Sequence, residues 1–229
     1  MPLTSVTAFK GMTAAELNRL EQGSVVQEPR DGATIFAQGD PADAVYAIVG
    51  GDGHVRIGAI DRHSKALMVE VFGAGEIFGE IGVIDSGTRS ATAAAEGRVR
   101  LQKIRGPAFV SALASCPTLG DALCHMLVKR LRRTFELVQD ATFETLEVRL
   151  ARQVLYLAER EGWTTPQGVR LAHRFRQADL ADLLGATTRS IITILNAWRA
   201  ADLVIYDTDR ALLTVGDIAA LKAITESDS

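Results

Sequence analysis

Two stretches of the chain carry side chains whose types and spacing suit recognition chemistry. The first runs Phe78-Gly79-Glu80-Ile81-Gly82-Val83-Ile84 and is followed, after a short turn, by Arg89-Ser90-Ala91-Thr92-Ala93. Gly79 permits close backbone approach, and a helix starting at Glu80, with Ile81 next to it, offers free N–H groups to an anion. Arg89 can grip a phosphate in fork geometry, Ser90 can donate to it, and Glu80 can accept a hydrogen bond from a ribose hydroxyl. An acid and a base at this spacing would read sugar and phosphate separately. The plain alternative is a Glu80–Arg89 ion pair across a turn.

The second stretch, residues 177–196, reads QADLADLLGATTRSIITILN. Its small and apolar residues fall where two helices crossing at a tight turn need them. Ala181 is small at the crossing, Gly185 supplies a positive φ, and Leu180, Leu184, Ile191 and Ile194 form the shared core. The second helix begins near Thr187 or Thr188 and presents Thr188, Arg189 and Thr193 outward, within reach of base edges in a major groove. Residues 203–206 and 211–215, joined by Asp207-Thr208-Asp209-Arg210, read as a β-hairpin wing. A helical hairpin with no nucleic-acid role is the alternative. Residues 149–215 hold nine arginines against seven carboxylates, a net charge of +2 in a chain whose net charge is -3. Arg174, Arg176, Arg189 and Arg199 are candidates for phosphate or base contacts, which make binding salt-dependent.

The elements that must position these residues are legible in outline. Residues 44–49, 54–60, 67–72 and 98–104 are β-type stretches separated by glycine-bearing turns such as Gly39-Asp40-Pro41 and Gly50-Gly51-Asp52-Gly53. Apolar and polar residues alternate in Arg98-Val99-Arg100-Leu101-Gln102, as a half-buried strand requires. An antiparallel roll or barrel follows. From Pro117 the texture is helical, and residues 121–161 contain neither Pro nor Gly. Residues 140–145 make a break, with Thr145 as an N-cap and Glu147 in the next helix's first turn. Gly120, Cys124, Leu127, Leu131, Thr134, Val138 and Ala141 recur as a heptad seam, flanked by Lys129, Arg130, Arg132 and Arg133 as a solvated face. A parallel dimer helix fits this seam, and so does a helix packed within one chain.

The fold class is therefore α+β: a β-roll sensor over residues 1–116, a dimerisation helix over 117–142 and a winged helix-turn-helix over 143–229. With 229 residues, 47% of them hydrophobic, the chain is long enough for two modest cores. It has no apolar run of about 18 residues and opens Met1-Pro2-Leu3-Thr4 without the features of an export signal, which points to the cytoplasm and away from membranes. Cys116 and Cys124 lie outside any metal-ligating or disulfide pattern and read as small buried hydrophobes, so no metal is expected. No nucleophile–base–orienter set is present, which argues against an enzyme.

With the roll before the cassette and the long helix after it, the chain resembles the cyclic-AMP receptor protein and fumarate and nitrate reduction regulator family of bacterial transcription regulators over almost its whole length. The resemblance rests on Gly39-Asp40, the FGE and RSATA segments, the RLRRT stretch in the long helix and the helix-turn-helix. It implies a homodimer through the central helix that binds a palindromic double-stranded operator and works with RNA polymerase. Its jelly-roll domain would hold a cyclic nucleotide, cyclic AMP ahead of cyclic GMP, against the long helix, with Thr134 near the base's exocyclic amine. The heptad pattern independently places Thr134 in an apolar seam, where a hydroxyl wants a partner or bonds its own helix. The sequence departs from the family at two places. Phe135 stands where a cyclic-AMP binder of this family usually offers a second hydroxyl from the other subunit. The recognition helix opens Thr188-Arg189, followed by Thr193, in place of the usual Arg-Glu and later Arg. A ligand-independent regulator, with Phe135 filling the nucleotide space, is the competing expectation. A haem sensor could use Pro2 but would find no His beside Glu80 and Arg89, and an iron–sulfur sensor would need clustered cysteines.

Overall fold

Short antiparallel strands joined by glycine turns dominate the first half of the computed structural model, which describes residues 3–60 and 66–226. Pro2, the haem-ligand candidate, and His63 lie outside the described residues. The chain divides into two compact units, one holding residues 1–65 and 69–133, the other 66–68 and 134–229.

In the first unit, two single-turn 3-10 segments lead into α1 (Ala14–Gln22), where Thr13 and Glu16 cap each other's backbone N–H groups. The strands are β1 (Ser24–Gln27), β2 (Thr34–Phe36), β3 (Ala44–Gly51), β4 (His54–Ile60), β5 (Ala66–Phe72), β6 (Ile77–Phe78), β7 (Thr92–Glu96) and β8 (Val99–Arg105). The one-turn α2 (Ile81–Ile84) follows β6, and α3 (Gly106–Ser115) follows β8. They form two four-stranded sheets, ordered β1-β8-β3-β6 and β2-β7-β4-β5. β3 is buried on both faces, which is why Ala44-Val45-Tyr46-Ala47-Ile48-Val49 reads as an unbroken apolar run. Val45, Ala47 and Val49 pack with Phe9, Leu20, Phe109 and Leu119, whereas Ala44, Tyr46 and Ile48 pack with Phe78, Ala93 and Leu101 between the sheets. Helices α1 and α3 are additions to the roll read from the sequence; the capping-box spacing of Thr13 and Glu16 is a signal that could have found the first.

Pro117 opens α4 (Pro117–Phe143), and Thr145 caps α5 (Leu146–Glu161) by accepting from the Val148 N–H, so the break falls within residues 140–145. In the second unit the elements after α5 are β9 (Trp163–Thr165), β10 (Gly168–Arg170), α6 (Gln177–Leu184), α7 (Thr188–Ala200), β11 (Val204–Asp207), β12 (Leu212–Val215) and α8 (Ile218–Glu226). The hairpin β11–β12 is the wing, and it continues into a four-stranded sheet ordered β11-β12-β10-β9. The β9–β10 hairpin and α8 were not read from the sequence. Three-residue strands are too short to show a period.

The heptad seam needs rotating. Leu127 packs on the core of the first unit with Leu119 and Leu123. The exposed apolar stripe runs instead through Cys124, Val128, Leu131, Phe135 and Val138, again at spacings of four and three. Cys124 is accordingly exposed, and only Cys116 is the buried hydrophobe expected of both. At the break, Arg152 on α5 pairs with the buried Asp140, with Glu144 at 2.9 Å and with the Thr225 carbonyl on α8.

Candidate ligand cradle and nucleic-acid interface

The sequence cassette folds around two guanidinium groups seated on one ladder of aromatic rings. Phe36, Tyr46, Phe78 and Phe72 follow one another with centroids 5.2 to 6.4 Å apart, the stacked Tyr46–Phe78 pair being the closest. Arg89 lies over Phe36 at 4.2 Å and Arg130 over Phe72 at 4.3 Å, an arrangement in which ring quadrupoles stabilise cations withdrawn from water.

Arg89 is 2% exposed. Its Nη1 donates to the Gly79 carbonyl at 2.8 Å and its Nη2 to Asp43 Oδ1 at 3.0 Å, while its Nε–H has no partner. Gly79 is needed twice here. Its φ is +76°, and a Cβ there would stand 2.8 Å from Arg89 Nη1 and 3.2 Å from the Phe36 ring. Glu80 is 1% exposed and occupies the N-cap position of α2 without a side-chain capping hydrogen bond. Its partner is not Arg89: Arg130 Nη1 donates to Glu80 Oε1 at 2.6 Å, and Arg130 Nη2 to the Ile77 carbonyl at 2.7 Å. Glu80 and Arg89 therefore do not pair across the turn, and each holds partners of its own. Arg130, expected on the wet flank of α4, is half-buried because it continues the core-facing stripe of Leu119, Leu123 and Leu127 at helical spacing.

Asp43 bridges Arg89 to Lys103, whose Nζ donates to Asp43 Oδ2 at 2.7 Å. Desolvation alone would raise the Asp43 carboxyl, but the Lys103 hydrogen bond and the charges of Lys103 and Arg89 outweigh it and hold the group below its usual range. The same hydrogen bond holds Lys103 above its usual range. Ser90 is exposed beside Arg89, and the Ile81 side chain is exposed as well. Thr134 and Phe135 belong to the second unit, both exposed; Phe135, at 61% exposure, shares the stripe of Leu131 and Val138. Asp43, Phe36, Tyr46 and Arg130 were not singled out as site residues from the sequence.

In the second unit, Gly185 ends α6 in the left-handed conformation, at φ 61° and ψ 27°, and Thr187 caps α7 by accepting from the Ser190 N–H. Ala181, Leu180, Leu184 and Ile191 are buried as expected, while Ile194 is only partly so. Leu195 and Trp198 carry the rest of the core, the indole N–H donating to Glu147 at 2.8 Å. Thr187, Thr188, Arg189 and Thr193 lie exposed along the start of α7, with the Thr193 hydroxyl donating to the Arg189 carbonyl at 3.1 Å. Arg176 keeps its fork on the buried Asp179 carboxylate at 3.0 and 3.1 Å. A capped helix, a glycine turn and an outward-facing second helix followed by a wing define a winged helix-turn-helix.

Comparison with known proteins agrees with both halves. A cyclic nucleotide-binding domain matches residues 26–116, and a Crp-like helix-turn-helix domain matches residues 148–224. The "CRP-like cAMP-activated global transcriptional regulator" of Mycobacterium tuberculosis is 32% identical over 184 residues, spanning 80% of this chain and 81% of that protein. The "Cyclic AMP receptor protein" of Thermus thermophilus is 28% identical over 72% of this chain and 73% of its own. Among solved structures, the c-di-GMP responsive global regulator CLP of Xanthomonas campestris superposes with a TM-score of 0.76 at 24% identity, covering 90% of this chain and 100% of that one. The fold and site thus define a DNA-binding transcription regulator with a cyclic nucleotide-binding domain, not an enzyme. The chain belongs to the CRP/FNR family of bacterial transcription regulators. Among the described residues, no helix is long and apolar enough to cross a membrane.

Proposed function

We propose that the chain is a homodimeric, cytoplasmic regulator whose DNA binding is controlled by a cyclic nucleotide, cyclic AMP before cyclic GMP. The observation that carries this reading is Arg89: a buried guanidinium with an unpartnered Nε–H, beside a glycine whose missing Cβ lets the guanidinium close on its carbonyl. Such a group is costly to bury and suits a phosphate that completes its hydrogen bonds. Gly79, Glu80, Arg89 and Ser90 form the cradle, with the Ile81 backbone at its edge and Thr134 the candidate partner for the base. A ribose hydroxyl reaching Glu80 would meet a carboxylate already held by Arg130 of α4, so ligand and helix share one acceptor.

The exposed stripe through Val128, Leu131, Phe135 and Val138 supports pairing of α4 with its copy in a parallel dimer. Phe135 belongs to that exposed stripe, which supports a place in the dimer seam over one filling the nucleotide space. Two recognition helices related by a twofold axis would read a palindromic operator, with Thr187, Thr188, Arg189 and Thr193 at bases or adjoining phosphates and Arg176 at the backbone. Selection of bound sequences from a random duplex pool, with and without cyclic AMP, tests the reading. Enrichment of a twofold-symmetric site that depends on cyclic AMP supports it, and Arg189→Ala then costs about 1–3 kcal/mol on that site. Equal enrichment without nucleotide favours the ligand-independent regulator.

A further inference from the structure

Arg89 is not the only charge at its end of the cradle. Asp43, immediately before β3, places one carboxylate oxygen 3.0 Å from Arg89 Nη2, where it would repel an incoming phosphate. Its other oxygen lies 2.7 Å from Lys103 Nζ. This placement is fixed by the sheet. Lys103 of β8 stands opposite Tyr46 of β3 in the antiparallel register, with its ammonium 5.9 Å from the Tyr46 ring, and the Asp43 carbonyl accepts from the Gly106 N–H at 2.8 Å. The Arg89 guanidinium lies 5.6 Å from the same ring. A cation, a carboxylate and a second cation therefore lie in sequence, the first enclosed, the carboxylate exposed and the second cation half-buried.

We infer that Lys103 is a positioning residue for anion recognition: by holding and neutralising Asp43 it leaves the Arg89 end of the cradle net positive. Without Lys103, Arg89 and Asp43 form a closed neutral pair, and a phosphate must compete with a carboxylate that has no counter-charge of its own. The residue touches no ligand; it acts through Asp43. The inference rests on Arg89 being the phosphate reader.

Cyclic AMP affinity, measured by titration calorimetry on the full chain, tests it in a double-mutant cycle. Lys103→Met is expected to weaken binding about three- to tenfold, a range suited to partly screened charges. Lys103→Arg is expected to restore it to within about twofold, because charge is what the position supplies. In an Asp43→Asn background, Lys103→Met is expected to change nothing further. Wild-type affinity in Lys103→Met overturns the inference, and so does an equal loss in both backgrounds, since Lys103 would then act without Asp43. Absence of binding by the wild-type chain overturns the phosphate reading itself. The inference alone fails when the wild type binds and the cycle shows no coupling.

Discussion

Arg89 carries the proposed chemistry of this chain, and its surroundings show how a cation is held in the interior. Two of its nitrogens are satisfied internally, its plane rests on Phe36, and its Nε–H is left over. Gly79 makes that arrangement possible, so Gly79→Ala is expected to be costly for two separate reasons, a positive φ and a 2.8 Å approach to Arg89. Thermal unfolding should report a loss of about 1–3 kcal/mol, and a Tm equal to wild type would show that the backbone there relaxes freely. Gly79, Glu80 and Arg89 were legible in the sequence because they lie within a dozen residues of one another in a patterned segment. Their partners were not. Arg130 meets Glu80 across 50 positions and Asp43 meets Arg89 across 46, separations at which only the folded sheets and helix decide who is adjacent.

Helix α4 shows why a correct period can still give a wrong face. Leu127 and Val128 are adjacent and both apolar, so either continues a seam from Cys124 at heptad spacing. The core of the first unit takes Leu127, which leaves Val128 and Phe135 outside and turns Arg130 inward. The break after α4 was legible, by contrast, because capping is local chemistry: Thr145 accepts from the Val148 N–H just as its residue type and position suggest. What the sequence did not reveal is that Arg152 fastens this break by joining Asp140, Glu144 and the end of α8. Arg152→Met would leave the buried Asp140 carboxylate without that partner. Chemical denaturation is expected to show a loss of about 1–3 kcal/mol, and an unchanged midpoint would mean that Arg152 contributes nothing net to the joint.

At the scale of the whole molecule, regulation requires that ligand and DNA each favour the same arrangement of the chain, since a ligand shifts an equilibrium only by its differential affinity for the two states. The first unit offers a physical link for the proposed regulation: Glu80, the candidate sugar reader, is bonded to α4 through Arg130, so a ligand on Glu80 would act on the residue that holds that helix. Family membership fixes the class of regulator, and the proposed reading, with Thr188 and Arg189 opening α7, predicts an operator distinct from the family's usual one. The sequence conveyed this architecture well, since both recognition segments are short and locally patterned, and left the energetic wiring between distant residues to the fold. The central claim, that Arg89 receives the phosphate of a cyclic nucleotide, is tested most directly by titrating the purified wild-type chain and Arg89→Leu with cyclic AMP and cyclic GMP in a calorimeter. The account predicts saturable binding of cyclic AMP at one site per chain, weaker binding of cyclic GMP, and loss of both in a folded Arg89→Leu protein. Equal binding by the two proteins, or no heat from the wild type with either nucleotide, would contradict it.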